Sequence, residues 1–118
     1  MLSTVGRYLK TLLGPRKIEI LEDLPERVSL QTGPTVFVID KKSEQVTRDG
    51  QLVAMIPLVT GVSVYQAGGH TNTTVWNVCA MVAGGRTVEF GRAYSKEEAT
   101  HIAGVISVLM KKPTKVEK

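Results

Sequence analysis

The spacing of apolar residues along the chain changes twice, and each change predicts a different kind of element. In residues 1–14 apolar positions recur every three or four residues, which is the period of one helix face. From Lys17 to Phe90 apolar and polar residues largely alternate, which is typical of half-buried strands. After Ser95 the helical period returns. The pattern therefore predicts a β-region between two amphipathic helices.

The N-terminal segment is predicted to be an amphipathic helix that ends at Gly14-Pro15. Arg7 and Lys10 interrupt its apolar run, so the segment lacks the form of an export signal. Its apolar stripe must be shielded from water, and its own domain, a second copy or a membrane surface can provide this. We expect a second copy and hence a homodimer, because a two-fold interface needs a single self-complementary patch. The stripe is a candidate interface and consists of Leu2, Val5, Leu9, Leu12 and Leu13.

The β-region is predicted to contain about eight short strands separated by turns. Asp49-Gly50 and Gly84-Gly85 are hairpin signals, and residues 23–26 are predicted to form the turn of the first hairpin. The run TVFVID is apolar on both faces, which favours a central strand. The predicted strands are KIEIL, RVSLQ, TVFVID, QVTR, LVAMIPL, GVSVYQ, TTVWNVCAMV and RTVEF.

The last predicted element is a helix with a capping box at its start. Ser95 and Glu98 have the spacing at which both side chains satisfy backbone amides of the first turn. Lys111-Lys112-Pro113 is predicted to end the helix. The apolar stripe of this helix must cover the inner face of the strands or the open end of a barrel. The stripe consists of Ala99, Ile102, Ala103, Ile106, Leu109 and Met110.

The order of these elements resembles that of small bacterial proteins with a pleckstrin-homology-like (PH-like) fold. The resemblance lies in IPLVTGVSVYQ, in the strand pair WNVCAMVAGGRTVEFG and in the closing SKEEATHIAGVISVLMKK. It implies an α+β fold, in which an antiparallel barrel or sandwich of about seven or eight strands is capped by the C-terminal helix. The expected organisation is an N-terminal helix at 1–14, a PH-like domain at 15–112 and a basic flexible tail at 113–118. Such a fold is mostly a scaffold for binding and does not by itself set a function.

The net charge of +4 belongs to the two ends of the chain, because residues 18–110 carry more acidic than basic side chains. We expect no specific nucleic-acid binding, since basic and aromatic residues do not interleave in the middle of the chain. We expect no phosphoinositide binding either, because the first strand pair is joined by the mostly acidic residues 22–27. The lone Cys79 cannot form an internal disulfide, which suits a reducing cytoplasm.

The stretch QAGGHTNTTVWNV is predicted to contain a connection between two strands. The simpler interpretation is an ordinary turn. The functional interpretation is a recognition loop, in which His70 and Asn72 present hydrogen-bonding groups beside an exposed Tyr65 and Trp76. These four residues are the remaining candidates for a binding site.

No catalytic, cofactor or metal site is predicted. A metal site needs about three or four convergent ligands, and the candidates here are scattered along the chain. His101 is predicted to be partly buried at the edge of the helix stripe, and Cys79 to be a small buried hydrophobe. Asp40 and Asp49 have the positions of turn residues.

These observations favour a non-enzymatic protein-binding or assembly module located in the cytoplasm, whose partner is a second copy or another protein. The alternative is a protein that binds a small hydrophobic ligand, a lipid or a membrane surface. That alternative predicts a cavity inside the barrel, and the residues expected to line it are Val62, Val64, Met81 and Ile106.

Overall fold

The computed structural model describes residues 17–67 and 75–117, which form two β-sheets and a C-terminal α-helix. A 3-10 turn at Ile56–Leu58 connects the fifth and sixth strands. The strands are β1 (Ile18–Leu24), β2 (Arg27–Thr32), β3 (Thr35–Asp40), β4 (Gln45–Arg48), β5 (Gln51–Met55), β6 (Val59–Ala67), β7 (Val75–Val82), β8 (Arg86–Ala93) and β9 (Thr114–Val116). The helix, α1, is Lys96–Met110.

The first sheet is a five-stranded antiparallel meander in the order β1-β2-β3-β4-β5. The second sheet has the order β8-β7-β6-β9, and only β9 runs parallel to its neighbour. The predicted α+β architecture of mostly antiparallel strands with a C-terminal helix is therefore confirmed. The predicted N-terminal helix at 1–14 lies outside the described residues.

The hairpin turns follow the predicted turn chemistry. Asp49 and Gly50 both have positive φ, at 51° and 83°, which is the backbone of a tight two-residue hairpin turn. Gly84 and Gly85 also have positive φ. The first hairpin is tighter than predicted, because β1 extends to Leu24 and leaves only two residues between the strands.

The run LVAMIPL is not one strand, as the sequence predicts. The strand β5 ends at Met55, and Ile56–Leu58 forms the 3-10 turn instead. Pro57 explains the break, because proline has no N–H to donate to a sheet ladder. The main-chain N–H of Ile56 donates to the carbonyl oxygen of Glu44 at 2.9 Å. The chain leaves the first sheet here and enters the second.

The C-terminal residues also differ from the predicted flexible tail, since Thr114–Val116 forms β9 beside β6. The main-chain N–H of Val62 donates to Pro113 at 2.9 Å, and that of Glu117 donates to Val64 at 2.8 Å. Val116 packs against the hydrophobic core. The edge of β6 that does not pair with β7 provides the hydrogen-bond partners for these residues. Their local composition does not predict this pairing.

Helix α1 closes the core as the sequence predicts, because every residue of its apolar stripe is buried. The helix packs chiefly against β6 and β7. The hydroxyl of Ser95 accepts a hydrogen bond from the N–H of Glu98 at 3.1 Å, which confirms the serine cap. The Glu98 carboxylate lies 2.9 Å from the amine of Lys17. His101 is exposed, so its predicted partial burial is wrong: it lies one position outside the buried stripe.

Candidate binding site

A β-bulge in β8 shapes the place where the two sheets meet. Glu89 pairs with Cys79 and Gly91 with Val78, so Phe90 has no partner on β7. A bulge of this kind changes the direction in which the neighbouring side chains point. The Phe90 ring is fully buried and meets the ring of Phe37 edge to face, with centroids 5.2 Å apart. The bulge therefore joins the cores of the two sheets through one aromatic pair.

Gly91 allows the first sheet to approach this bulge closely. Its φ of 141° lies in the region that favours glycine. A Cβ atom at this position would lie 2.5 Å from Thr32 Oγ1 and 2.7 Å from Ile18 Cγ1. Thr32 Oγ1 donates a hydrogen bond to the main-chain oxygen of Phe90 at 2.5 Å. No other residue type fits here without moving β1 and β2 away.

An open cleft of about 460 Å³ lies at this meeting point, and we call it the junction cleft. Strands contribute its walls from both sheets. The first sheet provides Thr32, Thr35, Phe37 and Arg48, and the second provides Tyr65, Asn77, Glu89, Phe90, Gly91 and Arg92.

The polar side chains of the second sheet form a row across its strands. Tyr65 pairs with Asn77, and Asn77 pairs with Arg92, so these side chains share one face of the sheet. The Tyr65 hydroxyl donates to Glu89 Oε1 at 2.6 Å. Burial, with further contributions from Glu89, raises the pKa of Tyr65 to about 12. Tyr65 therefore stays a neutral donor at physiological pH and fixes the position of the Glu89 carboxylate.

Arg48 and Arg92 supply the positive charge of the cleft. Both are exposed, and neither forms an ion pair with another residue in the described part of the chain. Among the described residues of the lining, Glu89 is the one acidic side chain, so two guanidinium groups and one carboxylate give these residues a net charge of +1. The cleft can therefore donate hydrogen bonds to an anionic group and stabilise its charge.

Cys79 lies next to this row but is not a reactive group. It is 3 % exposed and has Ser63 and Glu89 as its neighbours on adjacent strands. Burial is the largest cause that raises the pKa of its thiol to about 11, and the charge of Glu89 adds to the effect. The thiol is therefore protonated at neutral pH, as expected of a structural cysteine.

The structure separates two of the predicted site residues. Tyr65 lines the junction cleft, whereas Trp76 pairs with Gln66 and lies on the opposite face of the sheet. Both are partly buried rather than exposed. The Trp76 ring has the amine of Lys96 at 5.7 Å from its centroid, a cation–π contact with the start of α1. The predicted grouping of the two aromatics is wrong, because strand neighbours alternate between faces.

The other predicted site residues lie outside the described residues. They are His70 and Asn72 of the predicted recognition loop, together with Leu2, Val5, Leu9, Leu12 and Leu13 of the N-terminal stripe.

The four residues predicted to line an internal cavity do not converge. Val62, Val64 and Ile106 are completely buried within the same hydrophobic cluster. Met81 is partly exposed and pairs with Gly61, so it lies on the other face of β7 from the core residue Ala80. Val62, Val64 and Ile106 therefore contribute to packing in the core, and Met81 does not join them in a common lining.

Sequence reasoning missed Arg48, Asn77, Glu89 and Arg92 as site residues. Each has an ordinary surface position on a strand, and the site exists only because the two sheets meet there. The single available signal is the pair Phe90-Gly91 inside an alternating run, since a glycine in a strand often marks a bulge or a close backbone approach.

Three comparisons, with protein-family models, with curated proteins and with solved structures, found no match for this chain. In residues 17–67 and 75–117, no three side chains of His, Cys, Asp or Glu are grouped to hold a metal ion. Helix α1, like any helix in those ranges, is too short or too polar to cross a membrane. The junction cleft is therefore identified as a candidate site by its geometry.

Proposed function

We propose that this chain is a non-enzymatic binding module that holds a segment of a partner protein in the junction cleft. The observation that carries the proposal is the row Tyr65–Asn77–Arg92 facing Arg48 across the cleft. All four residues belong to strands, so the site is positioned by the sheets rather than by a loop. Sites built on rigid elements avoid the cost of ordering their backbone on binding.

The chemistry of the lining suits a polypeptide. Tyrosine and arginine are the residues most often found at the energetic centres of protein interfaces. Asn77 adds an amide that can donate and accept, which complements the groups of a peptide backbone. The volume of about 460 Å³ lies within the range of roughly 300–1,000 Å³ that is typical of binding pockets. The cleft is open rather than enclosed, so a bound chain can extend beyond it.

The PH-like resemblance supports the same function at the level of the fold. We propose that the two sheets and α1 form a PH-like barrel, in which the helix closes one end. Binding of peptides, lipids or partner proteins is what this resemblance implies, and it adds no catalytic role. The homodimer predicted through Leu2, Val5, Leu9, Leu12 and Leu13 stays a prediction, since that stripe lies outside the described residues.

Anionic lipid is a less suitable ligand for the β1–β2 end of the fold. Arg27 lies 3.1 Å from the Glu22 carboxylate, so its charge is already paired. Ser29 also donates to Glu22 at 2.7 Å, and this hydrogen bond is the largest cause that lowers the pKa of Glu22. The end therefore keeps a negative charge at neutral pH, which repels a phosphoinositide headgroup.

A selection of random peptides displayed on phage tests the proposed function. The full chain is immobilised, and the recovered peptides are measured against wild type and against Asn77→Trp, which places a large ring in the cleft. The matched control is Thr87→Trp, because Thr87 is exposed on the same face of the second sheet but outside the cleft lining. Circular dichroism establishes that both variants fold.

The proposal predicts that recovered peptides bind wild type and Thr87→Trp equally and lose most of their affinity for Asn77→Trp. It is wrong if no peptide is recovered, or if the peptides bind Asn77→Trp as tightly as wild type.

A further inference from the structure

The two arginines of the junction cleft come from different sheets. Arg48 ends β4, at the last residue before the tight turn of Asp49 and Gly50. Arg92 lies near the end of β8, opposite Asn77. The two residues are far apart in the sequence. The close approach at Gly91 joins β8 to β1 and β2, and Arg48, two strands further along the first sheet, lines the same cleft. Neither arginine forms an ion pair with another described residue, so the lining of one cleft includes two positively charged side chains whose charge is not neutralised there.

Like charges that share a cleft repel one another, and an anion between them removes that cost. Glu89 lines the same cleft but is engaged by the Tyr65 hydroxyl at 2.6 Å. Neither arginine lies within salt-bridge distance of Glu89. The internal acid therefore does not pair with the guanidinium groups, which stay available to a ligand.

We infer that the junction cleft binds a single carboxylate group, supplied by an acidic side chain of the partner segment, through Arg48 and Arg92. This inference rests on the proposed function, because it names the group of the partner that the cleft recognises. Guanidinium groups bind carboxylates through paired N–H donors, which is a stronger and more directional contact than an ammonium provides. Asn77 lies next to Arg92 in the same row and provides an amide donor for a neighbouring backbone carbonyl.

The charge balance distinguishes a carboxylate from a phosphate. The described residues of the lining carry a net charge of +1, from two arginines and Glu89. One carboxylate neutralises it, whereas a phosphate group carries about 1.5 to 2 negative charges near pH 7. The excess charge of a phosphate would face Glu89, whose carboxylate is held in place by Tyr65. A monoanion is therefore the better match.

The test uses two small probes that differ only in charge. Acetyl-glutamate amide and acetyl-glutamine amide are titrated separately into the full chain labelled with ¹⁵N, at low ionic strength, and amide chemical shifts are followed. The glutamate probe is expected to shift the amides of Asn77 and Arg92 in a saturable way, and the glutamine probe is not. Inorganic phosphate is a third probe and is expected to bind more weakly than the glutamate probe.

Substitutions assign the effect to the two arginines. Arg48→Gln and Arg92→Gln each remove one charge and are expected to weaken the glutamate probe by about tenfold. Arg92→Lys keeps the charge but loses the planar pair of donors, so it restores only part of the affinity. Arg86→Gln is the matched control, because Arg86 is an exposed arginine of the same strand outside the cleft lining.

The inference is overturned if glutamate and glutamine probes bind alike, if phosphate binds more tightly, or if Arg86→Gln weakens binding as much as Arg92→Gln. It is also overturned if the glutamate probe leaves the Asn77 and Arg92 amides unchanged. The peptide selection separates this failure from that of the proposed function: peptides that need an open cleft but no acidic residue support the binding function and contradict the carboxylate.

Discussion

Thr32 Oγ1 donates a 2.5 Å hydrogen bond to the main-chain oxygen of Phe90, and this contact joins the two sheets at the junction cleft. It depends on the bulge in β8, which leaves Phe90 without a partner on β7. The neighbouring Gly91 has no side chain to hold the strands apart. The shape of the cleft therefore depends on local backbone geometry as much as on the residues that line it.

Gly91→Ala is expected to lower the free energy of unfolding by roughly 2–4 kcal/mol, from backbone strain and from the clash with Thr32. Gly84→Ala is the matched control, because Gly84 also has a positive φ, of 90°, but has open space around it. That substitution is expected to cost about 1 kcal/mol. Denaturant unfolding of both variants measures the difference. Equal losses in the two variants would show that the sheets do not approach closely at Gly91.

Ile106→Ala is expected to cost about 2–5 kcal/mol, because its side chain is completely buried between α1 and the second sheet. Val108 is the control on the same helix, since it is 78 % exposed. Val108→Ala is expected to change stability by less than about 0.5 kcal/mol. Thermal unfolding of the two variants provides the comparison. A thermal midpoint unaffected by Ile106→Ala would mean that α1 does not close the core.

The elements that the sequence predicts well are those with a local signature. Alternation and turn residues locate eight of the strands, and the capping box at Ser95 locates α1. The missed strand, β9, has a single partly buried apolar residue, Val116, among lysines and polar residues. Its pairing partner β6 lies far away in the sequence, and no local pattern reports a contact of that kind.

The candidate site was predictable only in part, for the same reason. Tyr65 is a site candidate in both the sequence and the structure, whereas Trp76 lies on the other face of the sheet. Arg92 shares a face with Asn77 because of the bulge at Phe90, and a bulge shifts the register by one residue without a reliable sequence signal. A site that is formed between two sheets can be predicted from the sequence only when the strand register of both sheets is known.

Truncation after Pro113 is expected to lower the free energy of unfolding by about 1–3 kcal/mol, through lost hydrogen bonds to β6 and lost packing of Val116. Hydrogen exchange on the full chain gives an independent measurement. The amide of Glu117 is expected to be protected, because it donates to the carbonyl oxygen of Val64 at 2.8 Å. If that amide exchanges at the rate of an unfolded chain and truncation leaves the stability unchanged, residues 113–118 form a flexible tail, as the sequence predicts.

Cys79 is expected to react with iodoacetamide at pH 8 at least about a hundredfold more slowly in the folded chain than in guanidinium. The reason is that its pKa is raised from 9.0 to about 11, which leaves little thiolate, and the side chain is buried. Because the buried site disfavours the thiolate, the free energy of unfolding is independent of this group below pH 9.0 and falls as the pH rises from 9.0 through about 11. A folded-state rate equal to the unfolded one would contradict both statements.

The proposed binding of a partner in the junction cleft can be tested residue by residue. The most direct measurement is a map of amide chemical-shift changes in the full ¹⁵N-labelled chain when a peptide recovered by selection is added. The proposed site predicts the largest changes at Thr35, Asn77 and Arg92, which line the cleft on both sheets. Largest changes at Leu52 on the β5 edge or at Val108 on the outer face of α1, with the cleft amides unmoved, would contradict it.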